Sequence, residues 1–217
     1  MLETRKFKKL YNGIEAFRLE DLLLPEGIYW IKGNNGSGKS TFLKSVGGVI
    51  PFDGDLILTG NISLKKNPTP YRKLVNFAEA EPQFPSFLKG KEMIDMFLEA
   101  KKDKIENIQY LIDSMEIGSF LNNNISSYSS GMLKKLSLIL AFVGRAKLIL
   151  LDEPFITLDS KSVEVLNHWI TIKNLKEFVS FFITSHQDLE FGALPASKTI
   201  VVEDKTFKKY SDGKSYL

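Results

Sequence analysis

The chain has 217 residues, of which 43% are hydrophobic and 25% are charged, a composition typical of a globular domain with a sizeable core. It contains no cysteine, which excludes disulfide scaffolds and thiolate metal sites. The formal net charge is only +3 and the lysines are scattered, so we expect no nucleic-acid partner.

The hydropathy pattern does not predict a membrane span. Residues 1–13 lack the apolar stretch of a secretory signal. The longest apolar runs, 136–144 and 179–185, are far shorter than the roughly 20 residues that a membrane-spanning helix requires. We therefore expect any membrane-spanning component to come from another chain.

The first strong motif follows a short apolar strand at 28–31. Residues 33–41 read GNNGSGKST and match the phosphate-binding loop, G-x-x-x-x-G-K-[ST]. Its three glycines allow positive φ and a close approach of backbone N–H groups to phosphate. Lys39 is expected to contact the β- and γ-phosphates, and the Ser40 hydroxyl to bind Mg²⁺. The expected nucleotide-binding set is Gly33, Asn34, Asn35, Gly36, Ser37, Gly38, Lys39, Ser40 and Thr41.

The segments that follow alternate between strand and helix patterns. A hairpin over 53–64 is predicted to turn at Gly60-Asn61. Apolar stripes predict core-facing helices over 90–100, with Met93, Met96, Phe97 and Ala100, and over 104–117, with Ile105, Ile108, Leu111, Ile112 and Met115. Later elements are a helix from 132, a strand within 147–154, a helix over 162–175, a strand over 178–186 and a last hairpin-like element over 199–207. This alternation predicts an α/β fold with a mostly parallel sheet covered on both faces.

The second strong motif is the apolar strand LILLDE at 148–153, which ends in two carboxylates. Ligands of open α/β sheets bind at the carboxyl ends of strands, so Asp152 is expected to hold Mg²⁺, through water. Glu153 is positioned to accept a proton from the attacking water or to orient it. His186 ends the next apolar strand, and its imidazole is expected to polarise the γ-phosphate if the two strands are neighbours.

Together these motifs resemble those of the nucleotide-binding subunit of ABC transporters along nearly the whole chain. Residues 33–41 resemble the Walker A motif and 148–153 the Walker B motif. YSSGM at 128–132 resembles the family signature, usually LSGGQ, and FITLD at 155–159 resembles the D-loop. His186 matches the switch histidine. The signature separates this family from other phosphate-loop enzymes.

The resemblance assigns roles to individual residues. Lys39, Glu153 and His186 would be catalytic. Tyr11 matches the aromatic residue on which adenine stacks, although a plain strand aromatic is the alternative. Ser129 and Gly131 would contact the γ-phosphate held by a partner subunit, and Asp159 would lie at the dimer seam.

The resemblance also implies an architecture and a function. It implies a RecA-like P-loop NTPase core with a β-rich N-terminal subdomain, formed by 1–83 and 141–217, and an inserted α-helical subdomain at 84–140. The implied activity is ATP hydrolysis with Mg²⁺ at the interface of a homodimer or pseudo-dimer, powering a polytopic membrane subunit. The expected location is cytoplasmic, peripheral on the inner face of the membrane. The compact length resembles the ATPases of bacterial exporters.

Two positions depart from the family pattern. Ser130 stands where the signature usually has glycine, which adds a Cβ where backbone meets phosphate. The loop that usually carries a Mg²⁺-sensing glutamine has Ala80 there, so Glu81, as a metal ligand, or Gln83 is expected to substitute. Two alternative functions follow: an ABC-type ATPase not coupled to transport, and a nucleotide-gated interaction module with little hydrolysis.

Overall fold

A computed structural model describes residues 1–185, 194 and 197–210. The strands within them are β1 (Leu2–Tyr11), β2 (Ile14–Leu19), β3 (Leu22–Leu24), β4 (Ile28–Lys32), β5 (Asp53–Leu58), β6 (Ile62–Ser63), β7 (Val75–Ala78), β8 (Leu148–Leu151), β9 (Ser180–Ser185), β10 (Ser197–Glu203) and β11 (Thr206–Tyr210). The helices are α1 (Lys39–Val46), α2 (Pro68–Leu74), α3 (Gly90–Lys101), α4 (Ile105–Ser114), α5 (Ser130–Ala141) and α6 (Ser160–Glu177).

The central sheet has six strands in the order β11-β10-β4-β9-β8-β7. All neighbours from β10 to β7 are parallel, and β11 is antiparallel to β10. Side chains alternate between two separate hydrophobic clusters: Leu148 and Leu150 of β8 belong to one, and Ile149 and Leu151 to the other. The predicted parallel sheet with two buried faces is confirmed.

A second, antiparallel sheet is formed by strands near the N-terminus of the chain and packs against α1. Strand β1 pairs with β2, β3 and β5, and β5 pairs with β6. The predicted hairpin over 53–64 is confirmed, with Gly60 at a φ of 82°. Phe7 and Phe17 of this sheet pack on Phe42 of α1, with ring centroids 5.8 and 5.2 Å apart. These contacts hold the start of α1, and with it the phosphate loop, in place.

Helices α3, α4 and α5 lie in the sequence between β7 and β8, the last two strands of the central sheet. Helix α5 packs against α3 and α4 on one side and against β7 and β8 on the other. Among the described residues, no helix combines the length and apolar character needed to cross a membrane.

The buried residues of α3 differ in part from those predicted. Met93 is buried as expected, but Met96 is 55% exposed and Ala100 is also exposed. The core side of α3 is instead occupied by Ile94 and Leu98, which lie one turn apart. The helix is therefore rotated from the predicted orientation, because these two aliphatic side chains bury better than Met96. In α4 the predicted stripe is buried except for Ile105 in the first turn.

Candidate functional site

The phosphate loop joins β4 to α1, and Lys39 is the first residue of the helix. Gly38 has a φ of 104°, and a Cβ there would lie 2.6 Å from the Phe17 ring and 2.7 Å from the Ala16 carbonyl oxygen. Positive φ is confirmed at Gly36 and Gly38 but is wrong for Gly33. Gly33 is needed for space instead, because a Cβ there would lie 2.7 Å from the Val202 carbonyl oxygen.

The side chain of Lys39 folds back onto this loop and bonds to its backbone. Its Nζ donates to the carbonyl oxygens of Gly33, at 2.7 Å, and Asn34, at 3.2 Å. Burial lowers the pKa of the Lys39 ammonium, and the negative charges of Glu153 and Asp152 oppose that shift. The loop thus positions a cation on the same side as the two carboxylates.

A hydrogen-bonded cluster joins the phosphate loop to strands β8 and β9. The buried carboxylate of Asp152 accepts two hydrogen bonds at Oδ1, from the Ser40 hydroxyl at 3.0 Å and the Thr184 hydroxyl at 2.6 Å. The Thr184 hydroxyl also accepts a 3.0 Å hydrogen bond from the backbone N–H of Glu153. Two residues predicted separately, Ser40 and Asp152, are therefore in direct contact. The sequence patterns did not single out Thr184.

Glu153 has an unusual backbone conformation. Its φ is 47°, in the left-handed region that non-glycine residues seldom occupy, and strained residues of this kind cluster at functional sites. The hydrogen bond to Thr184 helps to hold this conformation. The Glu153 side chain, unlike that of Asp152, is partly exposed and lines the cavity over the phosphate loop.

That cavity has a volume of about 560 Å³ and is large enough for a nucleotide. Tyr11, at the end of β1, lies on its wall and is 48% exposed. The Lys9 ammonium lies 4.5 Å from the Tyr11 ring centroid. Lys205, in the turn between β10 and β11, also lines the cavity, and no local sequence motif marks it. The lining residues are Tyr11, Asn12, Ile14, Glu15, Ala16, Asn35, Gly36, Gly38, Lys39, Ser40, Thr41, Glu153 and Lys205.

The donor set suits Mg²⁺ and a triphosphate. The Ser40 hydroxyl and the Asp152 carboxylate, 3.0 Å apart, are the hard oxygen ligands that Mg²⁺ prefers. Within the described part of the chain, no group of three histidine, cysteine or acidic residues forms a metal cage of its own. A magnesium ion with few protein ligands, completed by phosphate and water, fits this arrangement.

The signature segment 128–132 lies at the start of α5. Ser129 is the N-cap, and its hydroxyl accepts a 3.2 Å hydrogen bond from the Met132 backbone N–H. A Cβ on Gly131 would lie 3.2 Å from the Thr157 carbonyl oxygen, so this segment packs closely on the D-loop. Neither Ser129 nor Gly131 lines the phosphate-loop cavity of this chain.

Asp159 has two contacts that the sequence did not predict. Its carboxylate caps α6 by accepting a 2.8 Å hydrogen bond from the Ser162 backbone N–H. It also pairs with Lys135 of α5 at 3.0 Å. These two hydrogen bonds lower the pKa of Asp159 to about 2. Asp159, too, lies outside the lining of the cavity.

The loop after β7 is attached to both sides of the site. Glu79 pairs with Lys44 of α1 at 3.6 Å. The side chains of Glu81 and Gln83 are exposed, and the charge of Glu81 acts on Lys134, a buried lysine of α5. Lys134 was missed because a lysine pair on an amphipathic helix ordinarily indicates a solvated face. His186 lies outside the described residues.

Comparisons with known proteins agree with this geometry. The model of the ABC transporter family matches residues 22–156. ABC transporter A family member 1 of Dictyostelium discoideum is 27% identical over 93% of this chain and 24% of its own length. The ABC transporter ATP-binding protein YtrB of Bacillus subtilis (strain 168) is 28% identical over 88% of this chain and 65% of its own length. The chain therefore spans less than two thirds of the length of each of these curated relatives.

Solved structures establish the fold. An ATP-binding subunit of an ABC transporter superposes with a TM-score of 0.85 at 20% identity, over 96% of this chain and 88% of that one. A dimeric ATP-binding cassette in a post-hydrolysis state, bound to ADP and Pi, superposes with a TM-score of 0.82 at 19% identity, over the full length of both. The predicted RecA-like P-loop fold is confirmed.

Proposed function

This chain belongs to the ABC transporter family, and we propose that it binds and hydrolyses ATP to power transport through a separate membrane-spanning subunit. The observation that carries this proposal is the contact of Ser40, Asp152 and Thr184, which fixes the phosphate loop beside Glu153. The hydrogen bond from the Glu153 N–H to Thr184 helps to hold Glu153 at the cavity, where a general base for the attacking water would act.

In this proposal each residue acts on a defined part of the substrate. The backbone N–H groups of the loop and the start of α1 bind the phosphates, and Lys39 neutralises charge on the β- and γ-phosphates. Ser40 and Asp152 would hold Mg²⁺, which would supply further neutralisation of the charge that develops on the phosphates. Glu153 orients the attacking water and accepts its proton. Tyr11 stacks on the adenine.

The signature segment and Asp159 serve a second subunit in this proposal. Ser129 and Gly131 do not line the cavity of their own chain, which supports a role opposite the γ-phosphate bound by a partner. Head-to-tail pairing of two such chains, as a homodimer or pseudo-dimer, completes two ATP sites. His186 is proposed as the residue that contacts the γ-phosphate from the same chain.

Exposed apolar side chains support a docking surface for the membrane subunit. Phe87, in the loop before α3, is 77% exposed, and Met96 on α3 is 55% exposed. Isolated apolar residues on a surface are ordinary, but this region also contains the loop attached to the site. In this proposal the chain docks on the membrane subunit through this loop and α3, at the cytoplasmic face of the membrane. In this proposal Glu81, rather than Gln83, takes the place of the missing glutamine, because its charge acts on Lys134, which bonds to the backbone of Asp152.

Glu153→Gln tests the proposal. The variant should lose ATP turnover while it keeps ATP binding, since the amide removes the proton acceptor without changing the phosphate loop. Phosphate release and fluorescent-nucleotide titration measure the two properties. Glu164→Gln, an exposed position on α6, is the matched control.

Turnover of Glu153→Gln near the rate of the unaltered protein would overturn the assignment of Glu153. An unaltered protein that binds ATP but does not turn it over would instead support the nucleotide-gated interaction module. Lys39→Ala should weaken ATP binding under either function.

A further inference from the structure

Two lysines of the helical region attach to opposite ends of strand β7. Lys101, the last residue of α3, donates from Nζ to the carbonyl oxygens of Arg72, at 2.7 Å, and Val75, at 3.1 Å. Lys134 of α5 donates to the carbonyl oxygens at the other end of the strand. Burial lowers the pKa of each ammonium to about 8. The edge strand of the central sheet is thus fastened to the helices at both ends.

The contacts of Lys134 join the loop after β7 to the end of β8. Its Nζ lies 3.0 Å from the Glu79 carbonyl oxygen, 2.6 Å from that of Ala80 and 3.5 Å from that of Asp152. The side chain is 1% exposed. An ammonium has three N–H donors and no acceptor, which matches three converging carbonyl groups. One buried side chain therefore holds the backbone of two segments together.

The two ends of β7 differ in their surroundings. Asp152, Glu153 and Glu81 all act electrostatically on Lys134. At Lys101, burial lowers the pKa of the ammonium, and no carboxylate contributes to that shift. Since β7 is parallel to β8, Lys134 lies at the carboxyl end, where the phosphate loop and Asp152 also lie. Lys101 lies at the far end of the strand.

We propose that Lys134 is a positioning residue for ATP hydrolysis, which holds the backbone of residues 79 and 80 against that of Asp152. This inference rests on the proposed function. The clamp fixes the distance between the loop that carries Glu81 and the strand that carries Asp152 and Glu153. The Asp152 N–H also donates to the Ala78 carbonyl oxygen at the end of β7, at 2.9 Å. Without Lys134, residues 79 and 80 lose their link to Asp152, and three buried or partly buried carbonyl groups lose a donor.

Lys134→Met and Lys101→Met form a matched pair for the test. Each removes a lysine ammonium, buried at Lys134 and partly buried at Lys101, and leaves backbone carbonyl groups at or next to one end of β7 without that donor, so both should lower the melting temperature. The kcat of Lys134→Met should fall about tenfold with KM for ATP within roughly threefold, because the groups that bind ATP are unchanged. Lys101→Met should keep kcat within about twofold of the unaltered chain, measured where both variants are folded.

Lys134→Arg, which keeps the charge and the donors, should restore kcat to within about threefold. If Lys134→Met does not fold, Lys134→Gln replaces it with the same criterion, because the amide keeps part of the hydrogen bonding. Equal kcat values for the Lys134 and Lys101 variants, in a protein that hydrolyses ATP, would overturn the role of Lys134 alone. The absence of hydrolysis by the unaltered full chain would overturn the proposed function itself.

Discussion

The phosphate-loop edge, with Ser40, Asp152 and Thr184, and the signature segment use polar side chains in opposite ways. At the phosphate-loop edge the side chains bond to one another across three separate elements. In the signature segment and the D-loop, Ser129 and Asp159 bond to backbone N–H groups of their own helices. In the first arrangement, both partners of each of these hydrogen bonds are side chains of the same chain. The second caps two helices, and Asp159 also pairs with Lys135 of α5.

Thr184→Val should have the largest effect of three changes that test this contrast. It removes the donor to Asp152 and the acceptor for the Glu153 N–H while keeping the side-chain shape. An unpaired buried polar group costs about 1–3 kcal/mol, so we expect that loss in the free energy of unfolding. We expect kcat to fall by at least about tenfold, because Asp152 and Glu153 both lose a positioning contact. Urea unfolding and steady-state ATPase assays measure the two effects.

Thr171→Val is the control for that change, because the Thr171 hydroxyl donates only to the Asn167 carbonyl oxygen within α6. It should leave kcat unchanged. A Thr184→Val protein with unaltered kcat would show that the cluster is not needed for catalysis.

Ser129→Ala should have an intermediate effect and separates the two roles of the cap. Loss of the cap should cost about 1 kcal/mol of unfolding free energy. ATP turnover per folded molecule should fall further, since the hydroxyl is also proposed to contact the partner's nucleotide. Ser129→Asn keeps a capping group but not the hydroxyl, so it should recover stability and not turnover. Full turnover by Ser129→Ala would confine Ser129 to its capping role.

Asp159→Asn should have the smallest effect, and the effect should depend on pH. The folded pKa of about 2 lies below the ordinary 3.8, so the carboxylate stabilises the fold above pH 3.8 and that contribution is lost as pH falls towards 2. The side chain is 58% exposed, so we expect about 0.5 kcal/mol at pH 7 after solvent screening. Asparagine keeps the cap and removes the pair with Lys135.

Urea midpoints at pH 7 and pH 3, compared with the exposed control Asp95→Asn, measure the Asp159 contribution. The gap between the unaltered protein and Asp159→Asn should narrow at pH 3. A gap that widens on acidification contradicts the assigned direction of the pKa shift.

The sequence predicted the parts of the site that are written in contiguous motifs. The phosphate loop and Asp152 belong to such motifs, and their contact follows from neighbouring parallel strands. Thr184 and Lys134 were not predictable from local patterns. Thr184 lies 32 positions along the chain from Asp152, its hydrogen-bond acceptor, and Lys134 lies more than 50 positions from Glu79 and Ala80. The rotation of α3 was missed for a related reason. Two faces of that helix are almost equally apolar, and only tertiary packing selects Ile94 and Leu98 over Met96.

Strand β7 is also the last strand of the central sheet, and this position has a consequence for solubility. The open edge of a sheet is a template on which a strand of another molecule can add. On β7 and the residues after it, the carbonyl groups of Val75, Glu79 and Ala80 already accept hydrogen bonds from lysine ammonium groups. An approaching strand would have to displace a lysine ammonium group at each end. The two lysines thus occupy carbonyl groups at both ends of the edge on which an added strand would have to pair.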